Sequence, residues 1–244
     1  MPPIENKRFE ETRWSLISRA GSDDARAAEA LEELCRHYWF PIYAFARRSG
    51  HTPEDAEDLT QDFFAKFFVG RDFRRAAEVA GKFRSYVLRA MKNHLISAHH
   101  RSQAKRRGGD AIVIPLDQAD AESRLLGNLA GSGASLDHQF DHEWALAVVE
   151  TVIVKLRDEY DRLGKEHVFD RLQEAIEGPP SNAFYEEAAK ALGLNKSSTR
   201  VATHRLRLRY RALLQKEVAD MLHEPTEAQV TGEIRHLFEA LMSA

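Results

Sequence analysis

The sequence predicts an all-α protein: two helical domains joined by a flexible linker, the second containing a helix-turn-helix. Three observations predict it. Apolar residues recur at three- and four-residue spacing along most of the chain, and the strict alternation of a strand is nearly absent. A polar stretch punctuated by glycines, residues 108–136, interrupts that pattern. Two windows, residues 82–109 and 188–216, each carry eight Lys and Arg and no acid. The chain as a whole has a formal net charge of −3, so with those sixteen cationic residues set aside the rest carries −19. Ordinary surfaces interleave both signs. A charge split this sharp suits a polyanion contacted at two places.

The elements follow in order. A short helix is expected at residues 14–19. Residues 25–49 read as a long amphipathic helix with the stripe Leu31, Leu34, Cys35, Tyr38, Ile42 and Phe45. Pro41 lacks an N–H and is expected to bend or divide it. Gly50 and His51 break the pattern, and Thr52-Pro53-Glu54-Asp55 restarts it. Threonine caps, proline takes the first helical position, and carboxylates sit at the positive end of the dipole. This helix runs to about Phe68 and buries Leu59, Phe63, Phe64, Phe67 and Phe68. The next runs from about Lys82 towards Arg107, with Val87, Met91, Leu95 and Ala98 buried and Arg89, Lys92, Asn93 and His100 outward.

Residues 108–136 hold four acids and one base, with one apolar island at residues 112–116. Further helices are expected at about 137–162, 165–177, 184–192, 195–222 and 226–242. Pro179-Pro180-Ser181-Asn182 is a firm break between them. The last, with its stripe Val230, Ile234, Leu237, Phe238 and Leu241, is read as packing over the helix-turn-helix, or else as a docking site for a regulator.

Residues 184–211 have the form of a helix-turn-helix. Phe184, Ala188, Ala189 and Leu192 give the first helix an apolar face, Gly193 ends it, Leu194 plugs the corner, and Asn195 caps the second. Thr199, Ala202, Thr203, Leu206 and Tyr210 face inward, and the threonine hydroxyls need partners such as carbonyls one turn back. Lys196, Ser197, Arg200, Val201, His204 and Arg205 are left outside near the N-terminal end, the part of a recognition helix that enters a major groove. Arg200 and Arg205 suit guanine edges, and the remaining charge suits phosphates.

Other chemistries find little support. Cys35 is the only cysteine, so no internal disulfide is possible, and it reads as a small core residue. The histidines show no metal-ligand spacing, and no phosphate-binding glycine loop or nucleophile elbow occurs. No enzyme, cofactor or metal is expected. No run approaches the ~20 apolar residues of a membrane span, and the N-terminus lacks a signal-peptide pattern, so a cytoplasmic protein is expected.

Residues 54–62 hold five acids and no base on the outer side of the phenylalanine-rich helix. The order acidic face, short connector, aromatic-plus-basic helix, linker, helix-turn-helix now carries a resemblance. DAEDLTQDFF followed by GKFRSYVLRAMKN resembles the second conserved region of bacterial RNA polymerase sigma factors of the extracytoplasmic-function (ECF) group. YEEAAKALGLNKSSTRVATHRLR resembles the recognition portion of their fourth region. The resemblance covers about residues 25–107 and 140–218, and DAEDLTQ is its most specific part.

The resemblance implies a sigma factor that binds core RNA polymerase, directs it to promoters and assists opening of the duplex. It implies that Asp55, Asp58, Gln61 and Asp62 dock on the clamp helices of the polymerase β′ subunit. It assigns the −10 element to Lys82, Phe83, Arg84, Tyr86, Lys92, Asn93 and Arg101, and the −35 element to Lys196, Ser197, Arg200, Val201, His204 and Arg205. An unstacked base needs an aromatic face and a polar pocket, which agrees with the first set. The domains are then 1–107 (region 2-like), 108–136 (linker, a stand-in for RNA in the polymerase channel), 137–222 (region 4-like) and 223–244 (an extension). Partners are core polymerase, including the β flap, promoter DNA, and an anti-sigma or other regulator. The chain departs from the family pattern between Trp144 and Gly178, a longer run than usual and one without the usual Leu-Pro box. The alternative is a free-standing helix-turn-helix regulator, which leaves the acidic DAEDLTQ face without a task.

Overall fold

The computed structural model describes residues 25–69, 83–102, 118–127, 134–222 and 225–242. Among these, nine α-helices and one 3₁₀ turn form, and there is no strand. The helices are α1 (Ala25–Arg48), α2 (Pro53–Val69), α3 (Phe83–Ser102), α4 (Gln118–Gly127), α5 (Leu136–Arg162), α6 (Glu166–Leu172), α7 (Asn182–Leu192), α8 (Lys196–Asp220) and α9 (Glu227–Met242), with the 3₁₀ turn Gln173–Ile176 after α6. The helix expected at 14–19 and the island at 112–116 lie outside the described residues. The chain divides into two compact units. Unit 1 takes it up to Ala147 and again from Val218; unit 2 is Val148–Glu217.

Unit 1 is built around α1. From His37 to Ala46 every residue of this helix is buried, so the helix is enclosed on all sides rather than amphipathic there. Pro41 does not divide it: α1 runs unbroken through the proline. Interior proline costs about 3 kcal/mol, and burying Tyr38, Trp39, Ile42, Tyr43 and Phe45 around it outweighs that loss. Trp39 stacks on Tyr43 at 5.1 Å between ring centroids. Cys35 is buried, and desolvation, with Glu32 nearby, pushes its thiol up to about 12, leaving it an inert packing group.

Several elements enclose α1. α2 begins as expected, Thr52 Oγ1 accepting from Asp55 N at 3.1 Å, and buries Phe63, Phe64 and Phe67. α3 contributes Val87, Leu88 and Met91. α4 seats Ala121 and Leu125 in the core, while Glu122 accepts from Tyr43 Oη at 2.5 Å and Arg47 Nε at 2.6 Å. From α5, Phe140 meets Phe45 edge-on at 6.3 Å, and the fully buried Glu143 pairs with Arg48 at 2.7 Å. α9 buries Val230, Glu233 and Leu237; its His236 lies 3.1 Å from Asp141, and its Ala240 carbonyl 3.0 Å from His142 Nδ1.

These contacts correct the expected boundaries at 107, 136 and 222. Residues 118–127, expected as flexible linker, form a helix held to α1 by a buried apolar pair and a bidentate Arg47–Glu122 contact. The first turns of α5 and the whole of α9 belong to unit 1. The reason is the same throughout: an apolar helix surface on every side recruits whatever segments can cover it.

Unit 2 holds the second part of α5 with α6, the 3₁₀ turn, α7 and most of α8. Val148, Val152, Leu156, Phe169, Leu172, Ala175, Ala188, Leu206 and Tyr210 form its core. Arg209 grips Glu159 through two hydrogen bonds of 2.6 and 2.5 Å, and the guanidinium holds the Glu159 carboxyl below the usual carboxylate range. Lys155 reaches the buried Glu217 at 2.8 Å.

Two expectations follow for unit 1. Arg84 on α3 is 5% exposed and ion-paired with Asp141, which is 13% exposed. Arg84→Ala takes the guanidinium from that largely enclosed carboxylate and leaves it to His236 at 3.1 Å, and urea denaturation should show a loss of about 3 kcal/mol. The Arg47 guanidinium, followed by the Tyr43 hydroxyl, holds the Glu122 carboxyl down to about 2 from 4.5. A depressed carboxylate stabilises fully above its unfolded value and loses that contribution as pH falls from about 4.5 towards 2. Glu122→Gln should flatten the stability profile in that acid window while leaving its shape near neutrality unchanged.

Candidate nucleic-acid and polymerase interface

The acidic segment lies on the outer side of α2. Asp55 and Asp58 are exposed, while the same helix buries Ala56, Thr60, Phe63 and Phe64 inward. Gln61 is half-buried and donates to Glu57 at 3.3 Å. Asp62 is engaged within the unit: it is ion-paired with Lys66 and lies 3.4 Å from His94 Nε2. Two of the four predicted docking residues are thus openly presented, and the other two are partly occupied by neighbours.

Between α2 and α3 lies a groove of about 480 Å³. Its wall is aromatic: Phe63 stacks on Phe67 at 5.0 Å, and Phe67 meets the half-buried Tyr86 at 5.7 Å. Lys66, Arg89, Asn93, His94 and Ser97 supply the polar lining. Apolar ring faces beside cationic and amide groups are the combination that receives an unstacked base and its phosphate. Tyr86 and Asn93 from the predicted −10 set line this groove. Arg89 was read only as outward-facing and Lys66 was not singled out; Arg89 stands three residues after Tyr86 and four before Asn93, a helical spacing that would have placed it there.

Other members of that set stand elsewhere. Arg84 is a correction: it is buried, ion-paired with Asp141, with its guanidinium carbon 5.2 Å from the Trp144 ring centroid. It is a structural residue of the core, because a guanidinium enclosed this far must be paired inside the protein. Lys92 is half-exposed, with Nζ 2.6 Å from Asp137. Lys82 lies outside the described residues, as do the side chains of Phe83 and Arg101.

In unit 2, α7 and α8 form a helix, a tight turn and a second helix. Ser181 caps α7, accepting from Phe184 N at 3.1 Å. Gly193 closes it at φ 63°, a left-handed position that suits glycine, and the Leu194 N–H reaches the Ala189 carbonyl at 2.9 Å. Leu194 itself is 43% exposed, so this backbone bond closes the corner and the expected leucine plug does not form. Asn195 Oδ1 accepts from Ser198 N at 2.8 Å, starting α8. Thr199 and Thr203 are buried and donate to the Asn195 and Thr199 carbonyls at 3.0 and 2.9 Å.

On the outer side of α8, Ser197, Arg200, Val201, His204 and Arg205 are all exposed, and Lys196 partly so. Lys196 pairs with Glu186 at 2.7 Å, and Arg200 donates to Asn182 at 3.0 Å while lying 5.2 Å from the Tyr185 ring. The two cations nearest the turn are thereby pre-oriented by α7. Among the described residues no group of acidic, histidine or cysteine side chains could hold a metal ion, and no helix is long and apolar enough to cross a membrane.

Residues 34–106 match the family model described as Sigma-70 region 2. No curated protein and no solved structure matches the chain. The matched residues include all of α2 and α3 and most of α1, the helices that carry the acidic face and the groove. Residues 34–106 are therefore similar to sigma-70 region 2, the part of sigma-70 family factors that binds core RNA polymerase and takes part in promoter melting.

The turn of unit 2 gives a direct check. Gly193→Ala places a Cβ in the left-handed region and should cost about 1–2 kcal/mol; Asn195→Ala removes the cap and should cost about 1 kcal/mol. Thermal unfolding followed by circular dichroism reads both.

Proposed function

We propose that this chain is a sigma factor of the ECF group, with region 2 functions in unit 1 and a region 4-like −35 reader in α7 and α8. The observation that carries the reading is the α2–α3 pair: an exposed acidic face on one helix beside an aromatic and cationic groove on the same matched domain. Asp55 and Asp58 dock on the β′ clamp helices, with Gln61 and Asp62 at the margin of that contact. The groove residues Tyr86, Arg89 and Asn93 hold a base released from the stack, and Lys66 and Lys92 follow the phosphates. Ser197, Arg200, Val201, His204 and Arg205 read duplex DNA at the −35 element, where Arg200 and Arg205 address guanine edges. The cap and glycine turn support that assignment by presenting the N-terminal end of α8 outward.

The rival reading, a helix-turn-helix regulator acting without polymerase, explains α8 but not the matched domain. Reconstitution with core polymerase separates the two. Promoter-dependent transcripts are expected only when this chain is added, and the double charge reversal Asp55→Lys with Asp58→Lys should reduce polymerase association at least tenfold with an unchanged helical spectrum. Full-affinity, sequence-specific duplex binding without polymerase, together with no core-dependent transcript, would favour the regulator.

A further inference from the structure

Helix α3 presents three different sides. Tyr86, Arg89, Ala90, Asn93 and His94 line the groove, Arg84, Val87, Leu88 and Met91 are buried, and Ser85 and Ile96 are exposed away from it. Lys92 stands at the margin between the buried and exposed sides, with its side chain 42% exposed. Its Nζ is 2.6 Å from Asp137, which is 48% exposed. Eight residues earlier on the same helix, Arg84 holds Asp141, one turn further along α5. The two carboxylates of α5 thus take two cations of the basic helix.

The pairs differ in what they can do. Arg84 and Asp141 are 5% and 13% exposed, so separating them means opening the core. Lys92 and Asp137 are both nearly half in water, where an ion pair is weakly held and readily exchanged. The carboxylate of Asp137 is nevertheless kept in place. It sits in the first turn of α5, which Ser135 caps by accepting from His138 N at 3.3 Å. The following turn is fastened by Arg84 on one side and by His236 of α9, 3.1 Å from Asp141, on the other. An anionic oxygen is therefore delivered to a lysine that a DNA backbone would otherwise meet.

We propose that Asp137 is an internal phosphate surrogate, occupying Lys92 in the free chain and displaced by the nucleic-acid backbone when α3 engages DNA. This rests on α3 being the DNA-facing helix of the matched domain. The contact works as an autoinhibitory latch. Without polymerase, it lowers the affinity of the basic helix for stray single strands; on the promoter, the chain of phosphates replaces the single carboxylate.

The test uses the full chain and a mixed-sequence single-stranded oligodeoxynucleotide, with binding followed by fluorescence anisotropy across a salt series. Asp137→Asn should tighten binding about two- to fivefold and steepen the slope of log affinity against log salt by about 0.7, one added phosphate contact. The gain should vanish when Lys92→Ala is already present. Equal affinity and slope for Asp137→Asn and the parent chain would overturn the latch, as would an undiminished gain in the Lys92→Ala background. Asp137→Ser serves in the same comparison if asparagine disturbs the first turn. Core-dependent transcription by the parent chain is measured alongside. Its absence sinks the sigma-factor reading by itself, whereas its presence with a silent Asp137→Asn sinks only the latch.

Discussion

A helix that is apolar on every side has to be enclosed on every side, and α1 sets that requirement for unit 1. From His37 to Ala46 no face of it can be left to water. The two helices that follow, α2 and α3, cover part of it. The rest falls to α4, the first turns of α5 and α9, all beyond the residues that match the Sigma-70 region 2 family model. The family-matched stretch is thus the inner part of a larger unit, and the C-terminal helix is one of its walls.

Enclosure also decides where charge can stand. Cations at the edges of a desolvated layer need partners inside the protein. Arg47 meets Glu122, Arg48 meets Glu143, and Arg84 meets Asp141, so that α4 and α5 bring the carboxylates for the cations they cover. Charge counted along a sequence is for that reason a poor guide to charge on a surface. Of three cations on α3, Arg84 is sealed into the core, Lys92 is held at its edge, and Arg89 is exposed.

Much of the local structure was legible beforehand because its causes are local. Thr52 capping α2, Gly193 ending α7, Asn195 starting α8, and the back-bonded hydroxyls of Thr199 and Thr203 each depend on residues no more than four positions away. Ser197, Val201, His204 and Arg205 were expected outside from spacing alone, and they are exposed. The exposed Asp55 and Asp58 follow the same rule. Leu194 failed because backbone hydrogen bonds from the Gly193 and Leu194 N–H groups already close the turn, leaving no need for a side chain in the corner.

By itself, then, the sequence determined the helical class of the described residues, most of their approximate helix limits, the turn between α7 and α8, and which faces of the amphipathic helices stay wet. These rest on propensity, capping and period, which act over one or two turns. Only the tertiary structure decided that residues 118–127 form a wall of unit 1, that α9 packs there, that Arg84 is buried, and that Lys92 faces Asp137. Those outcomes depend on partners 45 to 95 residues apart, and no local pattern encodes which distant carboxylate a given cation will meet.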